Sequence, residues 1–300
     1  MNFKEQLAQK TKDMEIVLQQ YLPKEEGYQK KVIEAMNYSV LAGGKRLRPM
    51  LMQETAQLFS GQAKGLSCFM AAIEMIHNYS LVHDDLPAMD NDEYRRGRKT
   101  THVVYGEGMA VLAGDGLLNY AFETAGKAFA KADTLDDYKR IAKAMQILGT
   151  KAGIYGMIGG QCADLEAEEM EDHVTEQMLL FIHEHKTAAL IEAAMTIGAT
   201  LAGASEKEIS SIEKCAYNIG IAFQIQDDIL DITSSLEVLG KPIGSDEKNH
   251  KLTYVTMHGL EESARQVEEL SREAIAILHS FTNRNNFLEQ LTEELVHREK

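Results

Sequence analysis

Residues 66–92 read LSCFMAAIEMIHNYSLVHDDLPAMDND. Leu66, Met70, Ile73, Ile76 and Leu81 recur at the spacing of an apolar stripe along one side of a helix. That run leads directly into His83-Asp84-Asp85. On an unbroken helix Asp84 and Asp90 would lie on different faces, because six residues fall short of two turns. Pro87 disfavours helical backbone at Leu86, so the chain is predicted to break there and to bring Asp90 back toward Asp84 and Asp85. Carboxylates at the C-terminal end of a helix stand at its negative pole, the unfavourable end for them. Three of them converging there suit a hard cation with oxygen ligands, Mg²⁺ above all.

The same helical spacing extends along the chain. Val32, Ile33, Met36 and Val40 form one stripe, and Ile219, Phe223 and Ile225 to Leu230 form a more apolar one. The four prolines are Pro23, Pro49, Pro87 and Pro242, so nothing between the last two forces a helix to end. Ala, Leu, Met, Glu, Lys and Gln fill the segments between glycine clusters, and strand-like alternation is scarce. The expected fold class is all-α, a single domain over residues 1–300 with many helices of moderate length. The run from Thr187 to Ala204 is apolar, but it contains Glu192 and many small residues, and reads as a buried core helix, not a membrane span.

Composition narrows the function classes. The chain has 300 residues and a formal charge of −15, and a balance this acidic argues against a nucleic-acid partner. The 44% hydrophobic content argues against disorder. Cys68, Cys162 and Cys215 are widely spaced and odd in number, which fits neither a disulfide framework nor a cysteine zinc site. With an N-terminus too charged for a signal peptide, a cytoplasmic location is expected.

A second acidic cluster, Gln-Ile-Gln-Asp-Asp-Ile-Leu-Asp, occupies residues 224–231. Asp227 and Asp231 share a helix face at i and i+4, where like charges repel. Apolar neighbours on both sides predict burial, so these carboxylates need a metal ion or a lysine partner. Cations accompany both clusters: Gly43-Gly44-Lys45-Arg46-Leu47-Arg48, then Tyr94-Arg95-Arg96-Gly97-Arg98-Lys99, then Lys241 and Lys251 around a polar loop. Paired aspartates with Arg and Lys clamps describe a diphosphate site, in which Mg²⁺ bridges phosphate oxygens to carboxylates. The Gly-rich turn lacks Walker A spacing, and no GxSxG or HExxH motif occurs.

With GGKRLRP, EMIHNYSLVHDDLPAMDND, YRRG, GDGLL, GGQCADL, HKTAAL, FQIQDDILD and GKPIGSDEKNHKLTY in this order, the sequence resembles the trans-isoprenyl diphosphate synthases, most closely the bacterial-type farnesyl diphosphate synthases. The resemblance implies an isoprenoid synthase-type helical bundle around a deep central cavity, usually a homodimer, acting on small diphosphate substrates. It implies Mg²⁺ at Asp84, Asp85, Asp90, Asp227, Asp228 and Asp231, three ions with substrate bound. It places isopentenyl diphosphate at Lys45, Arg48, His77 and Arg96. It places the allylic diphosphate at Arg95, Lys186, Thr187, Gln224, Lys241 and Lys251. Gln161 and Asp164 would wall the reacting region. Glu93-Tyr94 and His250 depart from the common pattern without removing a metal ligand.

The resemblance also bears on product length. Tyr79 and Ser80 lie five and four residues before Asp84, and bulk there limits the prenyl tail in that family. A helix rise of about 1.5 Å per residue puts Tyr79 roughly 7.5 Å from Asp84 along the axis. Tyr beside Ser resembles enzymes that stop at C15, so the expected product is farnesyl diphosphate, with C20 or C10 as alternatives. A non-catalytic regulatory subunit is a further alternative, disfavoured because both Asp-rich motifs are intact.

Overall fold

The computed structural model describes residues 2–59, 61–170, 174–233 and 253–296, and the fold is all-α as the periodicity predicts. Among the described residues the only strands are a two-residue antiparallel pair. The backbone forms two compact units, residues 1–53 with 62–145, and residues 54–61 with 146–300. Lys241, His250 and Lys251 lie outside the described residues.

The first unit opens with α1 (Phe3–Tyr21), whose Asn2 and Glu5 cap each other's backbone N–H groups. Then come α2 (Lys30–Val40), α3 (Leu47–Ala56), α4 (Leu66–Asp84), the strands β1 (Tyr94–Arg95) and β2 (Arg98–Lys99), α5 (Thr101–Tyr105), α6 (Glu107–Gly126) and α7 (Leu135–Ala152), with the last residues of α3 and of α7, Lys151 among them, counted in the second unit. The α4 helix is buried almost all round from Cys68 to Val82, which marks a central helix. It packs on α6, whose buried face is Ala110, Ala113, Gly114, Leu117 and Ala121. Small residues let the two backbones approach closely.

A buried arginine ties this unit together. Arg46 is 2% exposed, and its guanidinium lies 2.7 Å from Glu15 on α1 and 2.7 Å from Glu74 on α4. It also donates to the Val40 carbonyl at 2.5 Å. Arg46 takes the left-handed backbone conformation at φ 51°, so the turn before α3 is held by a residue that pays steric strain and recovers it in ion pairs. Of the three cations in the Gly-rich turn, this one is therefore structural.

The second unit contains α8 (Met157–Met170), α9 (Glu176–Ile182), one π-helical turn (His183–Ala188), α10 (Ala189–Leu201), α11 (Glu206–Thr233), α12 (Tyr254–His258), α13 (Leu260–His279) and α14 (Asn286–Val296). Every residue of α10 is buried, which confirms the core-helix reading of its apolar run. Its Glu192 carboxylate pairs with Lys151, whose ammonium also lies 2.9 Å from Glu213. Among the described residues no helix is long and apolar enough to cross a membrane. Around α11 the core gathers Leu179, Ala188, Ile221, Ile225, Ile229, Val255, Val267 and Leu270.

Replacing Arg46 by Leu would leave the Glu74 carboxylate buried without its cation. Removing one partner of such a pair costs about 3–5 kcal/mol. Urea denaturation of Arg46→Leu should show a loss of that size, whereas a loss below about 1 kcal/mol would show that the ion pairs do not hold this turn.

Candidate active site

In the first unit, α4 ends as the sequence predicts. The Asp85 N–H donates to Leu81 carbonyl at 3.1 Å, and the chain turns at Leu86-Pro87. The Asp90 N–H then donates to the Asp84 carbonyl at 2.9 Å and the Asn91 N–H to Leu86 at 3.1 Å. Asp90 is thus folded back onto the helix end. Asp85 is 4% exposed and its carboxylate takes a 2.6 Å bond from Arg95 Nε. Burial raises the Asp85 pKa, and Arg95 opposes that rise. Arg95 also reaches Asp92 at 3.3 Å.

The hairpin that delivers Arg95 was not evident in the sequence. Tyr94 pairs with Lys99 and Arg95 with Arg98, leaving Arg96-Gly97 as a two-residue loop. Both loop residues have positive φ, 53° and 72°, the geometry that matches the twist of a tight hairpin. The signal was the Gly after Arg96, masked by a run of like charges that reads as a solvated stretch. Arg96 turns back and donates to the Gly43 carbonyl. Gly44 takes φ 138°, a conformation that L side chains rarely adopt, so this turn needs glycine for its backbone, and the Arg96 guanidinium lies against the open side that results. Arg98 lies over the Tyr38 ring at 4.4 Å and bonds Leu41, which makes it structural.

Arg48 and Arg96 stand near enough to His77 to act on it electrostatically within this unit. The buried Nε of Arg48 has no hydrogen-bond partner among the described residues, which leaves a donor for an anion. Burial lowers the Arg48 pKa, offset by Glu74 and reinforced by Arg96. The His77 pKa lies well below the usual histidine value, first through burial and then through Arg48, Arg96, Arg46 and Arg95. His77 is therefore neutral at neutral pH and suited to hydrogen-bond a phosphate. Lys45 is exposed at the same turn.

In the second unit a cavity of about 270 Å³ is lined by Asp164, Glu168, Lys186, Thr187, Gln224, Asp227, Asp228 and Thr253, among others. It gathers five of the sequence-derived residues for this site: Lys186, Thr187, Gln224, Asp227 and Asp228, together with Asp164 from the reacting-region pair. The Lys186 ammonium lies 2.5 Å from Asp164. Asp228 accepts the Tyr254 N–H at 2.8 Å, and His183 Nε2 is 3.8 Å away. One oxygen of Asp228 thus fixes the start of α12. Asp231 is buried, 4% exposed, and does not line the cavity. Gln161 keeps a buried Nε2 with no partner among the described residues.

Lys186 and Thr187 sit on the π turn, a widening frequent at functional sites. A Cβ on Gly160 of α8 would overlap the Lys186 backbone nitrogen, so the GGQCADL glycine lets α8 press against this turn. Thr253, Glu168 and His183 were not singled out as site residues from sequence, and nothing in their local spacing marks them.

The carboxylates fit Mg²⁺ in kind, being hard oxygen donors beside clustered cations. Among the described residues no three His, Cys, Asp or Glu side chains form a cluster able to hold a metal by themselves. The backbone of Asp90 returns to the end of α4, but the expected convergence of three carboxylates is not seen among the described residues.

Known proteins resemble this chain over most of its length. The polyprenyl synthetase family profile matches residues 29–294. A geranylgeranyl diphosphate synthase of Cyanophora paradoxa is 46% identical over 269 residues, covering 85% of this chain and 88% of that protein. A dimethylallyltranstransferase of Fischerella ambigua is 43% identical, covering 91% and 77%. A crystal structure of an FPP/GFPP synthase from Zymomonas mobilis superposes with a TM-score of 0.86 at 32% identity, covering 98% and 99%. The chain belongs to the polyprenyl synthetase family, the trans-isoprenyl diphosphate synthases, and its activity is that of a prenyltransferase.

Two outcomes follow from this geometry. Gly160→Ala forces the π turn to shift, and a misplacement of about 1 Å can cost about 100-fold in turnover. Steady-state kinetics should show a loss approaching that, and wild-type kinetics would contradict the packing argument. For His77 the folded pKa is depressed, so its contribution is fully present above about 6.5 and is lost as pH falls toward the folded value. Melting temperatures should fall faster for wild type than for His77→Gln between about pH 7 and pH 5. Parallel curves would rule out a histidine held neutral by its surroundings.

Proposed function

We propose that this chain condenses isopentenyl diphosphate with dimethylallyl or geranyl diphosphate and stops at farnesyl diphosphate. The observation that carries the reaction is a cation paired with a carboxylate in each unit, Arg95 with Asp85 and Lys186 with Asp164, the second pair lining the cavity that Asp227 and Asp228 also line. Such pairs can exchange partners when a metal diphosphate arrives, the carboxylate turning to the metal and the cation to phosphate. Asp84, Asp85, Asp90, Asp227, Asp228 and Asp231 would hold Mg²⁺, three ions with substrate bound. When bound, the metal supplies Lewis-acid stabilisation of charge on the leaving diphosphate.

The side chains do the rest. Arg95, Lys186, Thr187 and Gln224 hold the allylic diphosphate, joined by Lys241 and Lys251 beyond the described residues. As the allylic C–O bond breaks, the two cations meet the growing negative charge. The Lys186 carbonyl, the Thr187 hydroxyl and Gln224 steady the carbocation with their dipoles. Lys45, Arg48, His77 and Arg96 hold isopentenyl diphosphate so that its double bond faces the cation, and Gln161 and Asp164 wall the reacting region. The proton lost from C2 goes to the departing diphosphate, so no side-chain base is needed.

Tyr79 supports the C15 stopping point. It is 5% exposed on α4, and its hydroxyl finds no partner among the described residues. Burial, with Asp84 nearby, pushes its phenol up to about 12, so it stays a neutral bulky ring. Ser80 beside it bonds the His77 carbonyl and adds no bulk. The name of the Cyanophora relative favours a second reading, geranylgeranyl diphosphate as product. The family profile running through both units supports one polyprenyl synthase domain over residues 1–300. Exposed Val103, Val104, Val111 and Leu112 on α5 and α6 support a homodimer, and the free cysteines a cytoplasmic setting.

A product assay decides length. Purified protein with Mg²⁺, labelled isopentenyl diphosphate and geranyl diphosphate should yield mainly the C15 alcohol after dephosphorylation, and Tyr79→Ala should yield longer products. A wild-type C20 product would remove Tyr79 as the stop and support the second reading.

A further inference from the structure

We propose that His83 is the positioning residue that braces Tyr79, and so sets how sharply chain growth stops. The proposal rests on the reading of Tyr79 as the floor of the prenyl pocket. His83 lies four residues after Tyr79 on α4, on the same face. Their rings meet edge to face, with centroids 5.8 Å apart and planes at 83°. Because the Tyr79 hydroxyl has no hydrogen-bond partner among the described residues, no polar contact fixes the ring, and packing alone must set its rotamer.

His83 is itself held. Its Nε2–H donates to the Val111 carbonyl on α6 at 3.1 Å, and Asp115 stands 4.0 Å from the same nitrogen. The ring lies directly over Gly114, where a Cβ would overlap Nε2 and Cδ2. The absent side chain at 114 therefore makes the seat for the imidazole. One chain of contact runs from the α6 backbone through His83 to the Tyr79 ring. A growing prenyl tail that pushes on Tyr79 pushes on this brace.

The ring and the hydrogen bond can be separated. His83→Gln keeps a donor for Val111 and loses the ring, while His83→Phe keeps a ring against Tyr79 and loses the donor. An aromatic edge contact is worth about 0.5–1.5 kcal/mol, which corresponds to about a twofold to tenfold change in a product ratio. With Mg²⁺, isopentenyl diphosphate and geranyl diphosphate, His83→Gln should raise the C20 to C15 ratio by that factor, and His83→Phe should hold it near wild type. Gly114→Ala, which displaces the imidazole from the other helix, should act like His83→Gln. Tyr79→Ala is measured alongside. If it lengthens products while the Gln and Phe variants give equal ratios, the brace is wrong and the floor stands. If it leaves products unchanged, the floor and the brace both fall.

Discussion

Asp84 and Asp85 close a long buried helix at its negative pole, and the surrounding chain supplies positive charge to that end. A carboxylate there is repelled by the helix's own carbonyls, so it must be compensated by cations or by a bound metal. Arg95 answers Asp85 directly at 2.6 Å, and a two-residue hairpin exists to deliver it. The Asp90 backbone is folded back onto Asp84 by a hydrogen bond. Arg46 performs the corresponding task one level deeper, joining α1, the Gly-rich turn and α4 through Glu15 and Glu74. With Arg46 occupied, Arg48 retains a buried donor for a ligand.

The second unit solves the same problem with different parts. Asp164 holds Lys186, and Asp228 is fixed by the backbone of Tyr254 and by nearby His183. The π turn presents Lys186 and Thr187 to the cavity, and Gly160 gives α8 the close approach that this requires. In both units a prospective phosphate-binding cation is paired with a carboxylate. On the proposed function, phosphate binding would exchange one ionic partner for another and expose no bare charge.

The all-α class, the break at Pro87 and the burial of α10 were legible because each rests on local rules: apolar spacing, proline sterics and hydrophobic content. The return of Asp90 followed from the same break. What stayed hidden depends on tertiary environment. Lys45, Arg46 and Arg48 look alike in sequence, and only packing distinguishes the arginine that ties helices together from the one with an orphan donor. Asp227 and Asp228 are neighbours, yet one oxygen of Asp228 serves the α12 backbone. A six-residue π turn is too short to disturb the 3.6-residue periodicity visibly. The seat of His83 carries no local signal, because it is the missing side chain of Gly114 on another helix.

The central claim is that the carboxylates and cations gathered within each unit serve to bind a metal diphosphate. Calorimetric titration of the protein with inorganic diphosphate, with Mg²⁺ present and again with chelator, tests it without any dependence on turnover. The account predicts binding with Mg²⁺ that is largely lost when the ion is removed. Equal binding in both conditions would mean that the cations act alone and that the aspartates have another role.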